Sequence, residues 1–452
     1  MIASKNIEKL ENSTARLTIS VGVDAIKAAY GELLKDYTKN VRIDGFRKGK
    51  VPPAVLERKF GAELKMELTA RVMDKAVEEA LEGETLVPLA YAQPVLEGEP
   101  ELQMDKDFSF SVSYDVFPVV QPGDVSGAEI ELPAVTIAKA DEERELDEIR
   151  ERNAIVMDKE DSAKAKKGDI ATVDYAELDD ASQPVKGSER QDFVFEIGGG
   201  YNLYKFDDEI VGMKKGDEKI VDKSYPADFE YPELAGSTKK LSVKLTKLKE
   251  KKLPALDDEL AQDVSEKFKT LDDLKADIKD KLQKRLDERL RSLKEKGIID
   301  ALVERSTVSV PASMLNAELD MRKRNLMQRM GIDNEEKLGQ IITMSGRSIE
   351  SLYDEWRPEA DKAIRTRLVL DKLIADGSFE ASDEDLAAEY QKMAAESSLS
   401  VEDVKAEYEK RGMVEYLKDR VKEDKLLAQL EEKVKVKKGK KLAFVDLFKE
   451  NE

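Results

Sequence analysis

Near Leu253 and Pro254 the spacing of apolar residues becomes helical almost to the end of the chain, and that change limits what the chain can fold into. Before this point, several segments alternate apolar and polar residues, as half-buried strands do. Beyond it, apolar residues recur every three or four positions almost to the end, which is typical of amphipathic helices. The sequence therefore predicts an α+β multidomain protein that ends in an all-α region.

Residues 1–117 are expected to form an α+β domain. Leu17–Val21 alternates apolar and polar residues as a strand does, and Phe108–Val116 repeats that pattern. We expect Asp24 to cap a first helix. A second helix is indicated by apolar residues at every fourth position, namely Leu64, Leu68, Val72 and Ala76.

Residues 118–156 are expected to connect this domain to the next. Proline and glycine are frequent as far as Pro133, which favours an extended stretch. Dense Glu and Arg then predict a solvated helix from about Asp141 to Met157.

Residues 157–249 return to a β pattern. Three segments alternate apolar and polar residues, and a short helix is expected at Phe206–Met213, closed by Gly216. These features predict a β-rich middle domain with several strands wrapped on one short helix.

Residues 250–452 are expected to form helices. One long apolar stripe runs from Leu271 to Leu293, and Pro311 is expected at the first position of a following helix. Pro358 should kink a later helix and Gly377 should close it. Methionines in this region suit a surface for unfolded chains, although methionine at helical spacing is more often core. They are Met314, Met321, Met327, Met330, Met344, Met393 and Met413.

The composition excludes several kinds of chemistry. The 452 residues include no cysteine and no histidine, which removes disulfides, thiol nucleophiles, Ser-His-Asp catalysis and His-ligated zinc. No phosphate-binding loop of the GxxxxGK[ST] type is present, so we expect no nucleotide cycle, no cofactor and no metal. The N-terminus lacks the apolar core of a signal peptide and no apolar run reaches membrane-spanning length, which predicts a cytoplasmic protein without a membrane partner.

A compact basic loop, Val41–Pro53, lies within this acidic protein of net charge −20. Between residues 35 and 59 there are eight Lys or Arg and three acidic residues. Two glycines permit tight turns and two closing prolines prevent a helix through the end of the loop. We expect an exposed tip with an aromatic apex among cations, which suits a polyanion with pockets such as ribosomal RNA with its proteins. The residues of this tip are Gly45, Phe46, Arg47, Lys48, Gly49 and Lys50.

The run Gly45-Phe46-Arg47-Lys48-Gly49-Lys50, followed by Val51-Pro52, resembles the ribosome-docking signature of the bacterial trigger factor family. The order of loop-bearing domain, β-rich domain and helical region is similar to that family over essentially the whole length. The resemblance implies an ATP-independent chaperone that docks on protein and rRNA at the tunnel exit of the large ribosomal subunit. It also implies that nascent and unfolded polypeptides are held for folding and export, and that the free protein forms a homodimer.

The middle domain resembles the FKBP-like prolyl isomerases, chiefly in strand order and in the elements Asp192-Phe193 and Phe206-Asp207-Asp208. Such enzymes hold the proline ring in an aromatic cradle, with an acid beside it and a tyrosine hydroxyl near the substrate carbonyl. The resemblance implies peptidyl-prolyl cis-trans isomerase activity. By the same resemblance the cradle consists of Tyr175, Phe193, Leu203 and Phe206, closed by Phe229 and Leu241.

This chain departs from the family pattern in the middle domain. Val185-Lys186 stands where an aromatic residue and an acid are usual, Phe229 where a tyrosine is, and Leu241 where a phenylalanine is. Leu203-Tyr204-Lys205 replaces an aliphatic residue followed by Pro-Gly. Two interpretations stay open: a working apolar pocket without its polar groups, or aromatic residues that are simply core.

Two other functions are compatible with the sequence. One is a general prolyl isomerase that carries client-binding arms and has no ribosome role. The other is an RNA-binding protein that uses the basic loop alone, although the overall acidity argues against it. The lysine-rich stretch Lys433–Lys441 suits rRNA or acidic clients, and a solvated edge strand protected by lysine explains it equally well.

Overall fold

A computed structural model describes residues 1–44, 46–47, 49–179, 181–397 and 399–449. The chain divides into two compact units. One comprises Met1–Leu132 with Ser292–Lys437, and the other comprises Pro133–Arg291 with the residues from Lys438 onward. Each unit therefore combines segments that lie far apart in the sequence.

The N-terminal region is an antiparallel sheet with a helix packed on one face. Its elements are β1 (Ile2–Lys9), β2 (Thr14–Val21), α1 (Val23–Asn40), α2 (Pro53–Leu81), β3 (Val95–Glu97) and β4 (Phe108–Asp115). The strand order is β1-β2-β4-β3. Residues of β2 such as Leu17 and Ile19 are fully buried against the apolar stripe of α2, which includes Leu68 and Val72. The predicted strands and second helix are confirmed.

The start of α1 differs from the prediction. Gly22 is the N-cap residue, and Asp24 lies inside the first turn. The carboxylate of Asp107 instead accepts a 3.0 Å hydrogen bond from the backbone amide of Val23. The prediction that Asp24 caps α1 was wrong because the capping carboxylate comes from a residue distant in the sequence.

The connector holds β5 (Val120–Gln121), β6 (Glu129–Thr136) and α3 (Lys139–Arg152). The charged helix was predicted to reach Met157, but it ends at Arg152. Ile155–Asp158 forms strand β7, which pairs antiparallel with the last strand of the middle sheet. Pairing with that strand satisfies the backbone of this segment and outweighs its helical charge pattern.

The middle domain is an antiparallel sheet packed on one short helix, as predicted. Its elements are β8 (Ile170–Leu178), β9 (Arg190–Glu196), α4 (Asp207–Ile210), β10 (Glu218–Ser224) and β11 (Thr238–Lys252). The strand order is β10-β11-β8-β9, and β7 pairs with β11. The helix is shorter than the predicted Phe206–Met213. The pairing of β8 with β9 is irregular between Val173 and Tyr175.

The C-terminal region is helical, with two short strands. Its elements are α5 (Asp258–Val264), α6 (Leu271–Arg305), β12 (Thr307–Val308), α7 (Ala312–Arg329), α8 (Glu335–Met344), α9 (Ile349–Gly377), α10 (Asp383–Ser397), α11 (Val401–Lys410), α12 (Val414–Glu431), β13 (Lys435–Ala443) and α13 (Asp446–Lys449). β12 pairs with β5 and β13 pairs with β6. The strand β13 carries the lysine-rich stretch, and its lysines are exposed.

Two helix termini and one position inside a helix differ in detail from the predictions. Pro311 is the N-cap residue of α7 and not its first helical residue. The helix α9 continues through Pro358. Gly377 is its last residue, but the left-handed position after it is held by Ser378, with φ of 51°.

Two of the apolar clusters among the described residues join the helices of this region. One brings together α6, α7, α9 and α12 around residues such as Leu302, Ile364 and Leu426. The other joins α10, α11 and α12 around Leu386, Tyr390 and Leu417.

Candidate functional site

The basic loop connects α1 to α2 and is shaped by two backbone hydrogen bonds. The amide of Phe46 donates to the carbonyl oxygen of Ile43 over 3.1 Å, and the amide of Lys50 donates to that of Arg47 over 2.9 Å. Gly49 adopts a φ of 82°, a region that favours glycine. Two of the predicted residues, Gly45 and Lys48, lie outside the described residues.

The base of the loop is held by the N-terminal core. Val51 is buried in that core, and Ile43 packs against it. Pro52 caps α2 and Pro53 is its first residue, so the helix begins directly after the loop. The tip is therefore presented from an ordered base.

Most acidic residues near the loop have partners, whereas the cations of the loop form no ion pairs among the described residues. Phe46 is 41% exposed, and Arg47 and Lys50 are exposed beside it. Two of the three nearby acids have partners, since Asp36 pairs with a downstream arginine and Glu57 accepts a 2.8 Å bond from a tyrosine hydroxyl. No ion pair joins the loop cations Arg42, Arg47 or Lys50 to any described residue.

The tyrosine that binds Glu57 is Tyr30 of α1. Burial and this hydrogen bond raise the pKa of Tyr30 to about 12, so its hydroxyl stays a donor at neutral pH. This bond links α1 to the first turns of α2, directly after the loop.

Four of the predicted cradle residues meet in the core of the middle domain. Tyr175 of β8 meets the ring of Phe193 at 5.5 Å between centroids and that of Phe206 at 5.2 Å, both edge to face. Phe206 and Leu241 are fully buried, and Phe193 is partly buried against the same cluster.

Leu203 does not join this cluster. Its side chain is 37% exposed, whereas its neighbour Tyr204 is only 7% exposed. The ring of Tyr204 lies 5.8 Å from that of Tyr175. The tyrosine next to Leu203 therefore lies where an inward-facing cradle side chain was predicted. The sequence contains a hint of this arrangement, because Tyr204 replaces the proline usual in the family pattern.

Phe229 lies between two other aromatic rings. Its centroid is 4.8 Å from that of Tyr225 and 5.9 Å from that of Tyr231. Sequence reasoning missed both of these tyrosines. The hydroxyl of Tyr225 donates a 2.8 Å bond to the carbonyl oxygen of Tyr204, and burial raises the pKa of Tyr225.

The segment that carries Leu203 and Tyr204 is positioned by Asp207. Its carboxylate accepts hydrogen bonds from the amides of Gly198 at 2.9 Å and Gly200 at 3.2 Å, and from the side-chain amide of Asn202 at 2.7 Å. The side-chain oxygen of Asn202 in turn accepts from the amide of Phe206. The predicted element Phe206-Asp207-Asp208 therefore organises the loop beside the aromatic cluster.

The replacement at Val185-Lys186 lies in the turn after β8. The amide of Val185 donates a 2.8 Å bond to the carbonyl oxygen of Glu177, and the side chain of Val185 is exposed. This turn contributes no acid to the aromatic cluster. What remains there is largely apolar, and burial raises the pKa of Tyr175, which keeps its hydroxyl neutral.

The seven predicted methionines of the helical region differ in burial. Met327, Met393 and Met413 are partly buried. Met314 is buried in the core. Met321, Met330 and Met344 are exposed, the last of them by 88%. Exposed thioethers are flexible apolar contacts that adapt to different partners.

The described residues form neither a metal site nor a membrane-spanning helix. Acidic side chains there form no group of three or more placed to hold a metal ion. None of the helices in those ranges combines the length and apolar character needed to cross a membrane.

Three family models match this chain. Residues 3–149 match the bacterial trigger factor protein, and residues 270–432 match its C-terminus. Residues 161–246 match the FKBP-type peptidyl-prolyl cis-trans isomerase. The predicted fold, with an α+β first domain, an FKBP-like middle domain and a helical C-terminal domain, is therefore confirmed.

Curated relatives agree over the full length. A trigger factor of Treponema denticola is 40% identical over 448 residues, covering 99% of both chains. That of Borrelia turicatae is 34% identical with the same coverage. A solved structure described as "Promiscuous Substrate Recognition in Folding and Assembly Activities of the Trigger Factor Chaperone" matches with a TM-score of 0.52 and 23% identity, covering 94% of this chain and 99% of that one. The structural match supports the fold, and the full-length identities show that this chain belongs to the trigger factor family.

Proposed function

We propose that this chain is a ribosome-associated, ATP-independent chaperone of the cytoplasm. It docks beside the exit tunnel of the large ribosomal subunit and holds nascent chains in an open state for folding and export. Membership of the trigger factor family supports this proposal, and the N-terminal family match includes the basic loop.

The observation that carries the proposal is the exposed Phe46 beside Arg47 and Lys50, neither of which forms an ion pair with a described residue, in a chain of net charge −20. An exposed aromatic side chain gains free energy when a partner buries it. The local cations attract a polyanion, while the acidic remainder of the protein is repelled by it. Contact with an RNA-rich particle is thus concentrated at the loop.

Client binding is assigned to apolar side chains of the helical region. Met321, Met330 and Met344 offer adaptable contacts that hold unfolded segments weakly. Weak and numerous contacts permit release without nucleotide hydrolysis, which agrees with the absence of a GxxxxGK[ST] sequence.

We further propose that the middle domain is a weak peptidyl-prolyl isomerase. The reaction requires no nucleophile, because an apolar site that desolvates the amide favours its twisted transition state. The partly buried rings of Phe193 and Phe229 border the buried Tyr175 and Phe206, which suits an apolar site for proline. The turn at Val185-Lys186 brings no acid to the cluster, which favours a low rate.

The homodimer of the free protein and the domain boundaries are proposals as well. Sedimentation velocity tests the dimer across a concentration series. Limited proteolysis tests boundaries near residues 117, 156 and 249. Because β7 pairs with β11, we expect cleavage before Ile155 to be favoured over cleavage within β7.

Co-sedimentation with vacant ribosomes tests the docking role. The test variant changes Phe46, Arg47 and Lys48 to Ala. A matched control changes Val211, Lys214 and Lys215 to Ala, which also removes one exposed apolar side chain and two exposed cations, here from the middle domain. We expect the wild type and the control to pellet with ribosomes and the loop variant to remain in the supernatant.

Other results would favour the alternatives. If the loop variant still pellets, the docking role of the loop is wrong. If no form pellets but isomerase activity is high, the protein is a general prolyl isomerase. If the wild type binds free RNA as tightly as ribosomes, with a steep dependence on salt, it is an RNA-binding protein.

A further inference from the structure

The side chain of Tyr204 lies among the rings that are expected to hold a substrate proline. We propose that Tyr204 occupies the prolyl site of the middle domain in the free protein and limits access of substrate to it. This inference rests on the proposed isomerase function. It concerns a residue that the resemblance did not place in the cradle.

The packing around Tyr175 supports this assignment. Its ring meets three others edge to face: Phe193 at 5.5 Å, Phe206 at 5.2 Å and Tyr204 at 5.8 Å. The first two were expected to line the site. The third fills space beside them, while Leu203, the expected lining residue, points to solvent.

The backbone that carries Tyr204 is held firmly. Its carbonyl oxygen accepts the 2.8 Å hydrogen bond from Tyr225. On one side, the side-chain ammonium of Lys205 donates to the carbonyl oxygen of Gly200 over 2.6 Å and pairs with Glu230 at 2.7 Å. These contacts restrain movement of the whole segment, so substrate access requires rotation of the tyrosine side chain.

The hydroxyl of Tyr204 is held only weakly. It donates to Glu177 over 3.4 Å, a long hydrogen bond. The other carboxylate oxygen of Glu177 pairs with Lys239 at 2.6 Å. Rotation of Tyr204 therefore breaks one weak hydrogen bond and the edge-to-face contact with Tyr175, while Glu177 stays paired. The closed arrangement is reversible.

A reversible occupant has a definite kinetic signature. The apparent affinity for substrate falls by the fraction of molecules in which the site is open, whereas the rate of the bound complex is unchanged. Shortening the side chain should therefore lower KM and leave kcat nearly constant. A tyrosine that served only as core would give the opposite result, with lower stability and no gain in activity.

The experiment measures isomerisation of a tetrapeptide with a Leu-Pro bond by the full-length protein. The test variants are Tyr204→Ala and Tyr204→Leu, the second of which keeps an apolar side chain in case the first does not fold. Tyr201→Ala is the control, because Tyr201 lies in the same segment but is 84% exposed. Thermal melting of each protein reports on folding.

We expect both Tyr204 variants to raise kcat/KM by about tenfold, mainly through KM. Tyr201→Ala should behave as the wild type. If the wild type is active and folded Tyr204→Leu is no better, the role of Tyr204 is wrong and the isomerase function stands. If all proteins lack activity, both proposals fail. If only the Tyr204 variants are active, the site is an isomerase that Tyr204 closes.

Discussion

The hydroxyl of Tyr225 donates a 2.8 Å hydrogen bond to the backbone carbonyl oxygen of Tyr204, and both residues are buried in the middle domain. This bond ties the segment before α4 to the segment after β10. It satisfies a carbonyl group that would otherwise be buried without a partner.

Replacing Tyr225 by Phe should destabilise the middle domain by about 1–3 kcal/mol, because the carbonyl oxygen of Tyr204 loses its donor. The measurement is the free energy of the middle-domain transition in urea. Tyr231→Phe is the control, since no described residue bonds to the Tyr231 hydroxyl. If the two variants had the same unfolding free energy, the hydrogen bond from Tyr225 would not stabilise the domain.

Breaking the ion pair between Lys159 and Asp169 should cost more stability than breaking an ion pair on the surface, because its two charges lie away from water. The ammonium lies 2.6 Å from the carboxylate, and both side chains are nearly buried. Asp169→Asn leaves the lysine charge without its partner, so we expect a loss of about 3–5 kcal/mol in unfolding free energy.

A matched exposed pair provides the comparison for Asp169→Asn. Lys139 and Glu143 of α3 form an i,i+4 pair in solvent. Glu143→Gln should change stability by less than about 0.5 kcal/mol. If Asp169→Asn and Glu143→Gln lowered the unfolding free energy by similar amounts, burial of the pair between Lys159 and Asp169 would have little effect on its strength.

The contact between α10 and α12 should weaken in acid. The hydrogen bond from Lys425, followed by those from Ser382, lowers the pKa of Asp385 from 3.8 to about 2. A carboxyl whose folded pKa is lowered contributes stability above its unfolded pKa and loses it as the pH falls through the folded value. The contribution is therefore complete above about pH 4 and is lost towards pH 2.

Melting temperatures of Asp385→Asn across pH test this expectation. The variant should melt below the wild type at pH 7, and the difference should vanish near pH 2. Glu384→Gln is the control in the same helical turn, because its carboxylate is exposed and bonds to no described residue. If the difference in melting temperature between the variant and the wild type did not change with pH, the loss of stability would come from helix capping alone.

The two kinds of side chain at the loop tip should affect ribosome binding differently. Arg47→Ala removes a cation, so the slope of log affinity against log salt should become shallower by about 0.7–0.9. Phe46→Ala removes apolar contact, so affinity should fall about tenfold or more at every salt concentration with the slope unchanged.

Fluorescence anisotropy of labelled protein with vacant ribosomes, over a series of KCl concentrations, measures both quantities. Val436→Ala in β13 is the control for loss of an exposed apolar side chain. The same slope for Arg47→Ala as for the wild type would exclude Arg47 from contact with phosphate.

Sequence reasoning was most successful where structure depends on neighbouring residues. The alternation in Leu17–Val21 and the stripe from Leu64 to Ala76 were both confirmed, because burial of one face follows directly from the spacing of apolar residues. The basic loop was recognised in the same way, since its charges, glycines and prolines are contiguous.

Contacts between residues far apart in the sequence could not be predicted in this way. Ile155–Asp158 was predicted as the end of the charged helix, yet it pairs with β11, about ninety residues later. Asp107, and not the nearby Asp24, bonds the first amide of α1. In both cases the competing contact exists only in the folded chain.

By itself, therefore, the sequence determined the order of α+β, β-rich and helical regions and the chemistry of the basic loop, because these depend on local spacing and composition. Only the tertiary structure decided that Tyr204 turns inward and Leu203 outward. The bonds of Asp207, Tyr225 and Lys205 set the backbone of that segment, and such bonds join residues whose proximity no local pattern reveals.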